Sequence, residues 1–337
     1  MPRATPMLAK LTKPSAVGLL PRERLFAELD AAYPGRLIWV SGPAGAGKTS
    51  LVSSWIEARK LSHLWYQVDL GDSDPGALVH YLTFAAQQFG KRKRPELPHL
   101  TPERLPGFEI FVRRFFETFF ARLSGSITLV FDNFQELGAD SLSIGVISGA
   151  LALLPAGVRL VCISREQSPP ALARWRAEPG FREVTWDALR LTDEEARAFE
   201  PEFNEHSTVD QLNHVARGWA AGLRLLLRAR RAGVFVETAD EMSSSPLFDY
   251  FGAEVLHRAD PALRDFLLCS AVQPRLAPDM AAALTGDEQA PQRLAWLGYT
   301  ATGFSRKRVP DTTGQSCMSI ILCFGSFSSS RRRIHLV

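Results

Sequence analysis

From residue 36 to about 190, short runs rich in β-branched and aromatic residues alternate with stretches whose apolar residues recur every three to four positions. That alternation predicts an α/β architecture, a parallel sheet with crossover helices. Strands are expected at 37–41, 64–69, 127–131, 158–164 and 181–186. Between them Leu78, Leu82, Ala85 and Phe89 share one helical face. Phe111, Phe115, Phe119 and Leu123 follow at every fourth position, reinforced by Phe116 and Phe120, and this stripe reads as a helix packed on the sheet. Thr192 with Glu195 three residues on has the form of a capping box, so a helix starts there and the sheet domain is expected to span 1–191.

Helical spacing continues from 192, and the polar stretch 241–245 before Pro246 separates a region at 192–240 from one at 241–300, where 247–256 restarts an amphipathic helix. The plan stops near residue 300. The tail, 301–337, has a serine cluster, two of the four cysteines and no periodic apolar face, and is expected to be disordered.

Composition narrows the class. The chain has 337 residues, 46% hydrophobic and 22% charged, enough for two or three globular domains. It contains no uninterrupted apolar run of the length a membrane span needs, and prolines and lysines break the N-terminal apolar positions, so a cytoplasmic protein without membrane contact is expected. The net charge of +3 misleads: the tail holds six basic side chains against one acidic, a surplus of +5 that leaves the rest near −2. A basic pI therefore gives no argument for nucleic-acid binding. The cysteines at 162, 269, 317 and 323 have neither metal-site nor disulfide-framework spacing. The basic run 91–94 reads as a solvated loop.

The chemistry lies at 42–49. Gly42-Pro43-Ala44-Gly45-Ala46-Gly47-Lys48-Thr49 matches GxxxxGK[ST] in full, placed after an expected strand and before an expected helix. Glycines let backbone N–H groups approach phosphates, a lysine reaches the β/γ oxygens and a hydroxyl ligates Mg²⁺; Gly42, Gly45, Gly47, Lys48 and Thr49 supply these parts, with Ala46 and Ser50 completing the cradle. The apolar run 127–131 ends in Asp132, the candidate second Mg²⁺-side group. Where many such ATPases have an acidic residue to position water, this chain has Asn133, with Glu136 three residues on as another candidate. At the end of the 158–164 strand, Arg165 is placed to sense a γ-phosphate.

With these residues in place the chain resembles the STAND class of signal-transducing ATPases, specifically the N-terminal part of large maltose-activator-like regulators that often end in a LuxR-type DNA-binding domain. The likeness rests on LTKPSAVGLLPRERL, SGPAGAGKTSLVSSWIE, WYQVDLGDSDP, LVFDN, ISREQSPPALARWR, LRLTDEEA, ARGWAAGLRLLL and RDFLLCSAVQPRL, in order between about residues 10 and 297. It implies a nucleotide-binding domain, a helical lid at 192–240 and a winged-helix-like domain at 241–300 that close over ATP or ADP with Mg²⁺, and it places Arg22 near the base. It also implies an inducer or regulatory protein as partner of the full-length form, self-association controlled by ATP, and no direct DNA contact by this part. The lid motif departs from its usual form, with Ala220 after Trp219 where proline is common. Relatives continue with a segment like YxYHPLFREFLL where this chain reads SCMSIILCFGSFSSS. Codons for 317–329 read in a shifted frame can encode that segment, which points to a frameshift near 297–304. The function expected is a slow ATP-hydrolysing switch, with a nucleotide-binding fragment lacking output, or a small-molecule kinase, as alternatives.

Overall fold

The computed structural model describes residues 8–31, 37–87, 96–123, 125–139, 141–201, 203 and 205–231, with short pieces at 282–283, 286, 289–290, 309–310 and 316–317. By its contacts the chain divides into two compact units: 1–42 with 47–189, and 43–46 with 190–337.

The first unit holds α1 (Glu23–Ala31), β1 (Leu37–Ser41), α2 (Lys48–Ala58), β2 (His63–Gln67), α3 (Pro75–Ala86), α4 (Phe108–Phe120), β3 (Ile127–Asp132), α5 (Leu142–Leu153), β4 (Val158–Ser164), α6 (Ala173–Arg176), β5 (Phe181–Val184) and α7 (Trp186–Leu189). Its five strands are all parallel in the order β2-β3-β4-β1-β5. Every residue of β1 and β3 is buried, as expected of strands covered on both faces, which read as continuous apolar runs. Helix α4 turns Phe111, Phe115, Phe116, Phe119 and Phe120 inward. Phe115 meets Phe116 edge-on with ring centres 5.1 Å apart, a favoured aromatic geometry. Each such side chain contributes about 1.5–3 kcal/mol by leaving water.

β2 and β5 end two residues earlier than the sequence expectation, for local reasons. β2 stops at Gln67 rather than 69 because Asp69 turns to capping: its carboxylate accepts the Gly71 N–H at 3.0 Å, and its own N–H donates to Asp72 at 2.9 Å. β5 stops at Val184 because Trp186 opens α7. The wholly buried Asp72 also accepts the Tyr66 hydroxyl at 2.8 Å and pairs with Lys10 at 2.7 Å, fixing the turn at Ala9–Leu11 beside β2.

In the second unit α8 (Asp193–Phe199), α9 (His206–Ala216) and α10 (Ala220–Arg231) follow one another. The capping box forms as the sequence reads: Thr192 Oγ1 accepts the Glu195 N–H and Glu195 Oε2 accepts the Thr192 N–H. Arg197 and Asp210 tie α8 to α9 through two hydrogen bonds. Most of the winged-helix region expected at 241–300, its helix at 247–256, the basic run 91–94 and most of the tail lie outside the described residues. Within the tail, expected to lack strands, Val309–Pro310 and Ser316–Cys317 form a short antiparallel pair, β6 and β7. Among the described residues no helix is long and apolar enough to cross a membrane.

Candidate nucleotide site

The turn from β1 into α2 shapes the first half of the site. Gly47, at φ 85°, is in the left-handed region, and a Cβ there would meet nothing within 4 Å. The demand for glycine is conformational, and the space beside it is open. Lys48 begins α2 almost wholly buried, and its Nζ donates to the Gly42 carbonyl at 2.7 Å. One residue on, Thr49 Oγ1 donates to Asp132 Oδ1 at 3.1 Å, across from the end of β3. The same carboxylate oxygen accepts the Asn133 N–H at 3.0 Å.

The charges here perturb one another. Burial lowers the Lys48 pKa to about 8, the nearby Arg165 charge adds to the drop, and Asp132 opposes it. Burial raises the Asp132 pKa, against the Thr49 hydroxyl, the Asn133 N–H and Lys48. Lys48, Thr49, Asp132 and Arg165 are thus brought into one electrostatic neighbourhood. The strand order explains it: β4 lies between β1 and β3, and the Gly42 N–H reaches the Ser164 carbonyl at 3.4 Å.

Beyond β3 the chain turns at Asn133, at φ 59°, a conformation asparagine tolerates better than most residues. Asn133 and Glu136 line an open cavity of about 560 Å³ together with Lys10, Gln67 and Asp69. Glu136 accepts a hydrogen bond from the Gln135 amide at 3.2 Å, while Gln135 Oε1 accepts the Arg165 N–H at 3.0 Å. The Glu166 pKa is raised, by burial and then by the Glu136 charge, so these two carboxylates face each other's field. Sequence reading missed Gln135, which ties the end of β3 to the end of β4; an amide within DNFQEL carries no signal of that role.

The remaining expected site residues have the following surroundings. Arg22, read as a base contact, is buried and donates from Nη1 to the Leu189 carbonyl at 2.9 Å, while its neighbour Arg24 donates to Ala188 at 2.9 Å. Ser50 is within α2, where its carbonyl accepts the Ser54 hydroxyl at 2.7 Å. Gly45 and Ala46 belong to the second unit with Pro43 and Ala44, and the Ala46 N–H closes a turn onto the Pro43 carbonyl at 3.3 Å. In that unit the Trp219 indole N–H donates to the Ala44 carbonyl at 2.9 Å, and the Ala221 N–H donates to the Gly45 carbonyl at 3.1 Å. Sequence reading noted Trp219 only as part of a lid motif. The signal that could have singled it out is the run of small residues, Ala220-Ala221-Gly222, directly after a tryptophan.

Among the described residues no cluster of three or more His, Cys, Asp or Glu could hold a metal by itself. The hydroxyl of Thr49 and the carboxylate of Asp132 do suit Mg²⁺, which commonly takes one or two protein oxygens and completes its shell with phosphate and water. The open space beside Gly47, the lysine at the head of α2 and this oxygen pair fit a polyphosphate with its ion.

Comparison with known proteins places this geometry in context. Residues 252–302 match the MalT winged helix domain. The chain is 30% identical over 325 residues to the HTH-type transcriptional regulator MalT of Cronobacter sakazakii, an alignment covering 92% of this chain and 35% of that protein. It therefore spans about a third of the length of the curated relative it matches. Among solved structures, the Aeropyrum pernix ORC1 protein in complex with DNA aligns with a TM-score of 0.45 at 16% identity, over 94% of each chain. A STAND protein with a tetratricopeptide repeat sensor from Pyrococcus horikoshii aligns with a TM-score of 0.42 at 15% identity, over 98% of this chain and 45% of the other.

Proposed function

The chain is MalT-like along nearly its whole length, and from that premise we propose that it is the nucleotide-binding switch module of a transcriptional regulator, a STAND-class protein that binds ATP or ADP with Mg²⁺ and hydrolyses ATP slowly. The observation that carries this reading is the contact between Thr49 Oγ1 and Asp132 Oδ1 beside the buried Lys48 ammonium. One group comes from the first turn of α2 and the other from the end of β3, and together they offer the kind of oxygens that a polyphosphate's ion takes.

When nucleotide binds, Lys48 exchanges the Gly42 carbonyl for phosphate oxygens, and the N–H groups at the start of α2 face the same charge. Thr49 and Asp132 would hold Mg²⁺, which would supply positive charge against the phosphates. Arg165 responds to the terminal phosphate and so separates ATP from ADP. The hydrolytic side is weaker. The Asn133 amide can orient a water but cannot take its proton, and Glu136 sits at the wall of an open cavity. General-base help is typically worth ~10²- to 10⁴-fold, so its weakness gives slow turnover and a long-lived ATP state, which suits a switch.

In the proposed switch, units 1–191, 192–240 and 241–300 act as nucleotide-binding domain, lid and winged-helix domain. The longer regulator is cytoplasmic; it takes its inducer and its DNA through parts beyond these, and associates with itself when ATP is bound. Titration with a fluorescent ATP analogue and Mg²⁺ tests the reading. The wild type binds and Lys48→Ala does not; equal affinity for the two would remove the phosphate site.

A further inference from the structure

The tip of the phosphate loop is held from its carbonyl side by the helical unit it belongs to. Trp219 caps the start of α10, and its indole N–H donates to the Ala44 carbonyl at 2.9 Å. Two residues on, the Ala221 N–H, one of the unsatisfied donors at a helix start, reaches the Gly45 carbonyl at 3.1 Å. The approach is close enough that a Cβ on Gly45, itself at φ +70°, would lie 2.5 Å from the Ala221 Cβ. The indole is in turn folded over Gly222, where a Cβ would lie 2.2 Å from the ring. Glycine at 45 and at 222 is therefore required by space on both sides of one tryptophan.

A trans peptide points its C=O and its N–H in opposite directions. Holding the Ala44 carbonyl toward Trp219 aims the Gly45 N–H the other way, and holding the Gly45 carbonyl does the same to the Ala46 N–H, which closes the turn onto Pro43. Both peptides at the tip are set before any ligand arrives. We propose that Trp219 is a positioning residue for nucleotide binding, fixing the loop tip through the Ala44 carbonyl so that polyphosphate binding and ordering of the first turn of α10 are thermodynamically linked. Linkage of this kind is reciprocal: nucleotide that steadies the loop also steadies the turn. The inference rests on the phosphate-site reading above, and deepens it by assigning part of the affinity to a residue that acts through the loop backbone.

Trp219→Phe keeps an aromatic ring and removes the N–H. Losing one net hydrogen bond, worth about 0.5–1.5 kcal/mol, lowers affinity for a fluorescent Mg-ATP analogue by roughly 2- to 12-fold. Gly222→Ala is the companion variant: alanine favours the helix by about 1 kcal/mol, yet the added methyl displaces the indole, so affinity falls although α10 itself gains. Wild-type affinity in both variants, with binding still lost in Lys48→Ala, overturns this inference and leaves the phosphate site standing. Unchanged affinity in Lys48→Ala overturns both. Hydrogen exchange on the wild-type chain provides a readout free of variants: nucleotide should protect 43–47 and 219–223 together, and protection of 43–47 alone refutes the linkage.

Discussion

At the head of α2, Lys48 and Thr49 are held by partners in a largely buried setting, whereas just past β3 Asn133 and Glu136 line an open cavity. The two regions share one carboxylate, Asp132, which accepts from Thr49 on one side and from the Asn133 N–H on the other, yet they are built to different standards. The proposed binding groups are preorganised by the head of α2 and the end of β3 that carry them. The water-side groups hang on a turn whose direction is set by a left-handed Asn133 and by Gln135. A protein furnished this way can be selective for a bound state while remaining a poor catalyst.

Four measurements break or sharpen that contrast. The largest effect belongs to Asp132→Ala, which removes the carboxylate both regions share: phosphate release should fall to background, and rapid release that survives would show that the ion is held elsewhere. Next is Lys48→Ala. Charge-assisted hydrogen bonds contribute about 1.5–3 kcal/mol each and the ammonium serves both β and γ oxygens, so nucleotide affinity should drop by at least roughly 100-fold, below detection in the titration, while the thermal midpoint moves little.

The third effect is a pH dependence. Because the Lys48 pKa is lowered to about 8, the ammonium is present below that pH and lost above it, and bound phosphate favours its return. Affinity for Mg-nucleotide should therefore hold to about pH 7.5 and fall by roughly tenfold by pH 9, since one pH unit past a pKa leaves about a tenth of the group charged. A flat profile to pH 9.5 would show that the lysine is not perturbed as its burial implies. The smallest change is expected from Glu136→Gln: less than a tenfold loss of turnover at unchanged affinity. A loss in the ~10²–10⁴ range of a working general base would instead make Glu136 that base and erase the contrast between the two regions.

The parts legible in the sequence are those with a period or a local motif. Strands β1 and β4 fall at the residues their apolar runs mark, and the phenylalanine face of α4 points inward as its spacing implies. Thr49 meeting Asp132 could be anticipated because a motif fixes one partner and a strand end the other. The ends of β2 and β5 were not legible, since Asp69 and Trp186 redirect the backbone through a cap and a helix start that interrupt no apolar pattern. Nor was the bond from Trp219 to Ala44, which joins residues 175 positions apart through an indole donor and leaves no periodic trace. For Arg22 the resemblance suggests a neighbourhood, and the structure adds a hydrogen bond from its guanidinium to the Leu189 carbonyl that no local pattern signals.

The central place of β1 in the sheet also has a consequence for the order of synthesis. Its ladder partners are β4 and β5, with Ser41 opposite Ser164, about 120 residues downstream. A ribosome adding ~5–20 residues per second needs on the order of 10 s to supply them, so the nascent chain carries its glycine-rich loop unpaired for that interval. Until β4 emerges, β1 has neither neighbour, and the long-range pairing that completes the sheet is the slow kind of folding event. The phosphate cradle is encoded early and assembled late, and any chaperone that attends this protein meets β1 and the six phenylalanines of α4 before the strands that will cover them.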